Sequence, residues 1–381
     1  MQPLIWLNHG QEAPDEITKR LICYEREAKS AGMHWPRYTP LVCEKIAHVV
    51  GDPVSWAKAL IEEDADGDLV YPFMARALAT NGQHSINLLE TCMKKPDLRS
   101  TMIPLVLSTS AVPDTLVKGS INVLDKSLSK LVEFTCRSTK IPEDRVVQLL
   151  LHKDPAVACA AAIGEWYNNP EGILDKSHKR LWRAAIINFS DIGYSSKELF
   201  ESDPSLACDW LEMRIKADSE YIYRLEDECK LAINLIGIDC RRRLLAQIPG
   251  DFYCEDIIKL LVQNNQELFG DLLSNKRLRK FHLVPLQGHP DKHWVEKALM
   301  ALDAGYAPKD VLEATYGYGT SWGWGGKESD MLAEWHRSFE WLLSHEDPRI
   351  QRIGQLGHKR AQARLRHALE REKQEAIYGL G

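Results

Sequence analysis

The 381-residue chain contains almost no strand-like alternation of apolar and polar residues, and that absence argues against a β or α/β fold. No stretch approaches eighteen uninterrupted apolar residues, so neither a transmembrane helix nor a membrane partner is expected. Basic charge is not in excess. Lys and Arg number 48 against 54 Asp and Glu, a net charge of −6 that gives no bulk reason for non-specific nucleic-acid or membrane binding. The N-terminal stretch from Met1 lacks the basic region and long apolar run of a signal peptide. The nine cysteines, Cys208 and Cys240 among them, are odd in number and form no CxxC pair. Most fall on apolar helical faces, so buried thiols are expected over disulfides or metal, and the expected location is the cytoplasm.

What the chain has in quantity is helix starts. Asp52-Pro53, Asp154-Pro155, Asp203-Pro204 and Asp347-Pro348 each open an apolar stretch with helical spacing. An Asp N-cap followed by Pro at the first helical position is an efficient way to restart a helix. At this length one compact core is unfavourable, so the chain is expected to form several domains or an elongated stack. Helical segments read as 15–31, a start at Pro40, 53–61, 69–79, 85–93, 98–107 and a long one over 113–136. The clearest repeat unit pairs 142–151 with 154–168, where Ala158, Ala160, Ala161 and Ala162 let helices approach closely. Further segments follow over 176–188, 203–214, 225–236, 239–247, 251–263, 291–302 and 308–316. Beyond them a stripe at Met331, Leu332, Trp335, Phe339, Leu342 and Leu343 precedes a final helix from Asp347-Pro348 to about Tyr378.

The most unusual local feature is the loop 316–326, where five glycines alternate with Tyr316, Tyr318, Trp322 and Trp324. Such a loop offers either an aromatic platform for a partner or rings that pin a long connection onto the fold. Those four aromatic residues are the candidate partner-binding residues. The loop is not a phosphate-binding motif, since Ser321 and Glu328 stand where a P-loop requires Gly and Ser or Thr. Asp64-Ala-Asp66-Gly67-Asp68 lacks the later ligands of an EF-hand and reads as a solvated turn. His289 and His293 are four apart, but Pro290-Asp291 looks like a helix start that leaves His289 outside, so no zinc site is expected. Two basic clusters, Arg241, Arg242, Arg243 and Lys276, Arg277, Arg279, Lys280, could contact phosphates if they lined one face. No cofactor and no catalytic constellation are expected.

The helical pairs over about 40–275 resemble degenerate HEAT-type repeats, although the Asp-Pro starts lack the fixed period of about 40–47 residues of a regular array. The segment from Trp322 through Trp335, Phe339 and Asp347-Pro348 to Tyr378 resembles the ends of bacterial helical-repeat proteins, some of them recognition arms of antiviral NTPases of the STAND/NACHT type. This resemblance implies recognition without a motor, since the chain has no Walker motif. The reading that follows is an all-α solenoid. Residues 1–285 would form a HEAT-like region, and 286–381 a C-terminal region with the loop and a capping helix. Its expected function is non-enzymatic protein binding; the alternative is a nucleic-acid-binding solenoid.

Overall fold

All four Asp-Pro pairs start helices. In a computed structural model of the chain, helices begin at Pro53, Pro155, Pro204 and Pro348. The preceding carboxylate accepts first-turn backbone N–H groups in each case: Asp52 from Ser55 (3.2 Å), Asp154 from Ala156 (2.9 Å), Asp203 from Leu206 (3.1 Å) and Asp347 from Arg349 (2.7 Å). Proline has no N–H to leave unsatisfied there, so the pair closes the helix end locally. The structure describes residues 14–31, 39–80, 82–168, 176–189, 192, 196–217, 226–250, 255–316 and 327–378. Among them every regular element is an α- or 3₁₀-helix and none is a strand, so the fold is all-α with many helices. No helix among the described residues is long and apolar enough to cross a membrane.

The chain divides into two compact units, 1–189 and 190–381, and the boundary expected at 285 falls inside the second. In the first unit, packing runs from helix to nearby helix. Pro14–Ser30 packs on Pro53–Glu62, Thr39–Val49 on Gly67–Thr80, Gly67–Thr80 on Pro96–Ser108, and Pro96–Ser108 on Ser129–Ser138. Trp56 and Phe73 stack near the centre of this order, with ring centroids 5.5 Å apart. The acidic turn is pinned rather than only solvated. Lys95 Nζ donates to Asp64 Oδ1 (2.5 Å) and to the Ile61 carbonyl (2.8 Å), and holds the Asp64 carboxyl below its ordinary pKa.

The long helix expected over 113–136 is in fact two, Asp114–Asn122 and Ser129–Ser138, with a 3₁₀ turn at Lys126–Leu128 between them. The cause is local: Asp125 Oδ1 accepts both the Ser127 N–H (2.8 Å) and its hydroxyl (2.5 Å), a short-range bond that competes with helix continuation.

The alanine-rich helix Pro155–Asn168 does approach a neighbour closely. Its most extensive contact is with Ser129–Ser138 rather than with its sequence partner Glu143–Leu150. Glu165 lies at the end of this seam, with Oε1 buried and without a hydrogen-bond partner among the described residues. Burial pushes its carboxyl up to about 7. Between the ordinary carboxylate range and that value, the unfolded chain is ionised while the folded chain keeps its proton. Stability therefore falls as pH rises through this window and stays low above it. Glu165→Gln is expected to add about 2 kcal/mol at pH 8 and almost nothing at pH 4. Urea midpoints at the two pH values measure the difference.

In the second unit, Ser196–Ser202 and Pro204–Ala217 both pack on Glu226–Leu235, Pro204–Ala217 also packs on Ile238–Gln247, and Glu226–Leu235 packs on Glu255–Val262. Ile238–Gln247 then meets Gln266–Ser274, which meets Lys292–Asp303. Cys208 and Cys240 form a disulfide between two of these facing helices, correcting the expectation of thiols throughout. Their Cα atoms are 6.3 Å apart, a bridging distance that spacing along the chain does not reveal. The final helix, Pro348–Tyr378, packs on Glu328–Glu340, Pro308–Thr315 and Lys292–Asp303. Along it Ile350, Ile353, Ala361 and Ala368 are buried, whereas Leu369 is exposed. Its charged second half carries a helix cap: Glu372 accepts the N–H (2.9 Å) and hydroxyl (2.7 Å) of Ser329.

Candidate functional site

The second unit holds a cleft of about 510 Å³ whose walls come from three stretches of chain. Lys230 lines it from Glu226–Leu235. Asp256, Lys259 and Leu260 line it from Glu255–Val262, with Gln263 and Asn264 just beyond. The third wall is Pro285, Gln287, Gly288, His289 and Asp291, followed by Trp294 and Lys297 on Lys292–Asp303.

Local chemistry fixes each wall. The helix Glu255–Val262 stops at Gln263, which takes a left-handed φ of 43°. An L-residue pays about 1–2 kcal/mol for that conformation. The turn aims the Gln263 carbonyl at Lys297, whose Nζ donates to it (3.2 Å) and to the Pro285 carbonyl (2.8 Å). Arg241 secures the same turn from behind, donating to Gln263 Oε1 (3.0 Å) and to the Ile233 carbonyl (2.7 Å). The opposite wall begins at Asp291, which caps its helix by accepting the Trp294 N–H (2.7 Å), while the Trp294 indole donates to the Leu286 carbonyl (2.9 Å).

Lys297 is the buried cation of the cleft, 8% exposed. Burial pulls its pKa below the ordinary lysine value, the neighbouring Asp291 acts against that shift, and the positive charge of Lys259 adds to it. Two ammonium groups therefore share one partly enclosed space, where charge interactions are stronger than in bulk water.

From the cleft the same segment leads to the base of the glycine-aromatic loop. Gly288, at φ 117°, donates its N–H to the Thr315 carbonyl (3.0 Å). The His289 ring lies 4.2 Å from Trp335, and its Nδ1 is 3.0 Å from Ser338 Oγ. Trp335 in turn stacks on Tyr316 (4.9 Å), the last described residue before the loop. Tyr316 donates to the Gly357 carbonyl (3.4 Å), and the Arg360 guanidinium sits 4.5 Å from its ring centre while pairing with Glu313. Burial pushes the Tyr316 phenol up to about 12. Tyr316 is thus a packed, half-buried anchor. A Cβ on Gly357 would collide with the buried Phe339 ring, so the final helix can lie this close only with glycine there. Tyr318, Trp322 and Trp324 lie outside the described residues.

Most residues of the basic clusters are engaged with the protein itself. Arg242 pairs with Asp239 (3.3 Å), Glu267 (3.1 Å) and Asp271 (2.7 Å), and Arg243 with Asp209 and Glu212 (both 3.4 Å). Lys276, Arg277, Arg279 and Lys280 fall on a 3₁₀ stretch, Lys276–Phe281, whose Leu278 and Phe281 are buried. Arg277 donates to the Ala246 carbonyl, and Lys280 lies 4.6 Å from the Phe281 ring centre. Arg279 is exposed. His293 is exposed beside Glu296 (3.3 Å), and nearby His282 is buried between the Tyr306 hydroxyl (2.7 Å) and the Asn275 carbonyl (3.0 Å). Among the described residues no group of three His, Cys, Asp or Glu could hold a metal ion.

The structure thus connects residues the sequence presents separately: Arg241 backs the cleft, and Tyr316 adjoins its far wall. Lys230, Lys259 and Lys297 carry no sequence signal, since they are scattered lysines on three separate amphipathic helices, the third of which also carries Lys292. No protein-family model, no curated protein and no solved structure matches this chain.

Proposed function

We propose that this chain is a non-catalytic HEAT-like α-solenoid that binds a protein partner, with the loop 316–326 as a principal contact and the final helix as its terminal cap. The supporting observation is the packing order within each unit, where helices meet their next and next-but-one neighbours. Stacks of that kind present side chains on rigid elements along an extended surface. Tyr316 supplies a second support, because an aromatic-rich loop held at its base by Trp335, Arg360 and Gly357 loses less entropy on binding. By resemblance, the partner belongs to a bacterial antiviral recognition assembly of the STAND/NACHT kind. The nucleic-acid alternative draws less support, since carboxylates already engage Arg242 and Arg243.

Affinity capture from lysate of the source cells, comparing the natural chain with Trp322→Ala/Trp324→Ala, tests the role of the loop. The doubly substituted chain is expected to lose about 90% or more of the specifically enriched protein, as for paired aromatic hot spots. Equal capture by both chains would remove the loop from the interface.

A further inference from the structure

We propose that the lysine-lined cleft of the second unit binds a small phosphate monoester, with the phosphate seated between the Lys259 and Lys297 ammonium groups. This site needs neither the loop nor a protein partner, so it stands apart from the recognition role above.

Three observations lead there. First, lysines from three separate helices, Lys230, Lys259 and Lys297, line one cavity of about 510 Å³, within the range of small-molecule sites. Second, Lys297 is pre-positioned. Two carbonyls hold its Nζ, and an ammonium has three N–H bonds to offer. Asp291 nearby helps to keep it charged. Third, the charge of Lys259 disfavours the charge on Lys297, and an anion between them would offset that repulsion.

The rest of the lining narrows the class. The planar fork of arginine matches carboxylate and phosphate alike, whereas lysine is a compact point charge that binds phosphate without demanding a planar partner. Arg241, which backs the cleft wall, is occupied by Gln263 and Ile233. Asp256 and Asp291 also line the cavity and would repel a polyanion such as a nucleic-acid backbone. One phosphate on a small, hydroxyl-bearing body satisfies both features, its body resting against Leu260 and Pro285.

Titration calorimetry of the full chain with glycerol 3-phosphate tests the proposal, with glycerol and succinate as probes of the uncharged body and of carboxylate. Glycerol 3-phosphate is expected to bind with Kd of about 1 mM or tighter. Lys259→Gln should weaken it at least about tenfold, and Lys259→Glu should abolish it. Arg242→Gln, outside the cleft, should leave it unchanged. In the natural chain the same ligand should protect Lys259 from acetylation, a readout that requires no substitution. Absence of binding, equal affinity for succinate, or an unprotected Lys259 would overturn the proposal. Phosphate binding that persists in Trp322→Ala/Trp324→Ala separates this site from the partner interface.

Discussion

Arg145→Ala is expected to destabilise the first unit by about 3–5 kcal/mol, because this one buried side chain donates to five backbone carbonyls. Arg145 comes from Glu143–Leu150 and is 3% exposed. Its Nη1 donates to the carbonyls of Val106 (2.8 Å), Leu107 (3.0 Å) and Thr109 (2.9 Å), and its Nη2 to those of Ser110 (3.4 Å) and Val112 (3.2 Å). Several of these belong to the C-terminal end of Pro96–Ser108, where carbonyls lack helical partners and the helix dipole is negative. Arg145 is thus a helix cap supplied by another helix. Alanine would strip the guanidinium from these carbonyls, of which only Thr109 is shown with a backbone partner, the Val112 N–H (3.1 Å). Lysine keeps the charge but lacks the planar fork, so it should recover only part of the loss. Urea unfolding followed by circular dichroism measures the change, and amide exchange over 98–112 localises it. A loss below about 1 kcal/mol would mean that water replaces the guanidinium at these carbonyls.

Gly164→Ala is the second large expected loss, about 2–4 kcal/mol, against the direction of helix propensity. A Cβ there would lie 2.5 Å from Cys136 Cβ, 2.5 Å from the Glu133 carbonyl oxygen and 3.1 Å from the Arg137 nitrogen. Two of these three are backbone atoms that no rotamer change can move. Ser129–Ser138 and Pro155–Asn168 would have to separate, opening the most extensive contact that Pro155–Asn168 makes. Gly119→Ala is the matched control. It lies in Asp114–Asn122 with nothing within 4 Å of the added carbon, so it should stabilise by up to about 1 kcal/mol. Equal effects from the two substitutions would show that the seam relaxes freely and that close packing at Gly164 carries no energy.

Helix starts were readable because their chemistry is local. Asp52, Asp154, Asp203 and Asp347 cap their own first turns, within three residues of themselves. The break near Asp125 was equally local, but an apolar pattern running through 113–136 masked it. Side-chain partners were not readable. Arg241 to Arg243 look alike in sequence, yet one backs a cleft and two face carboxylates on other helices. Tyr316 was singled out for its composition, while its packing against Trp335 and Arg360 depends on helices brought back from later in the chain.

The amino-acid sequence alone determined that this protein is all-α and where most of its helices begin, because capping and periodicity act over a few residues. Tertiary structure decided the rest: the Arg145 cap, the Cys208–Cys240 bridge, the Gly164 seam and the gathering of Lys230, Lys259 and Lys297 around one cavity. Each joins residues from different helices, and amphipathic periodicity specifies which face of a helix is buried without naming the helix that buries it.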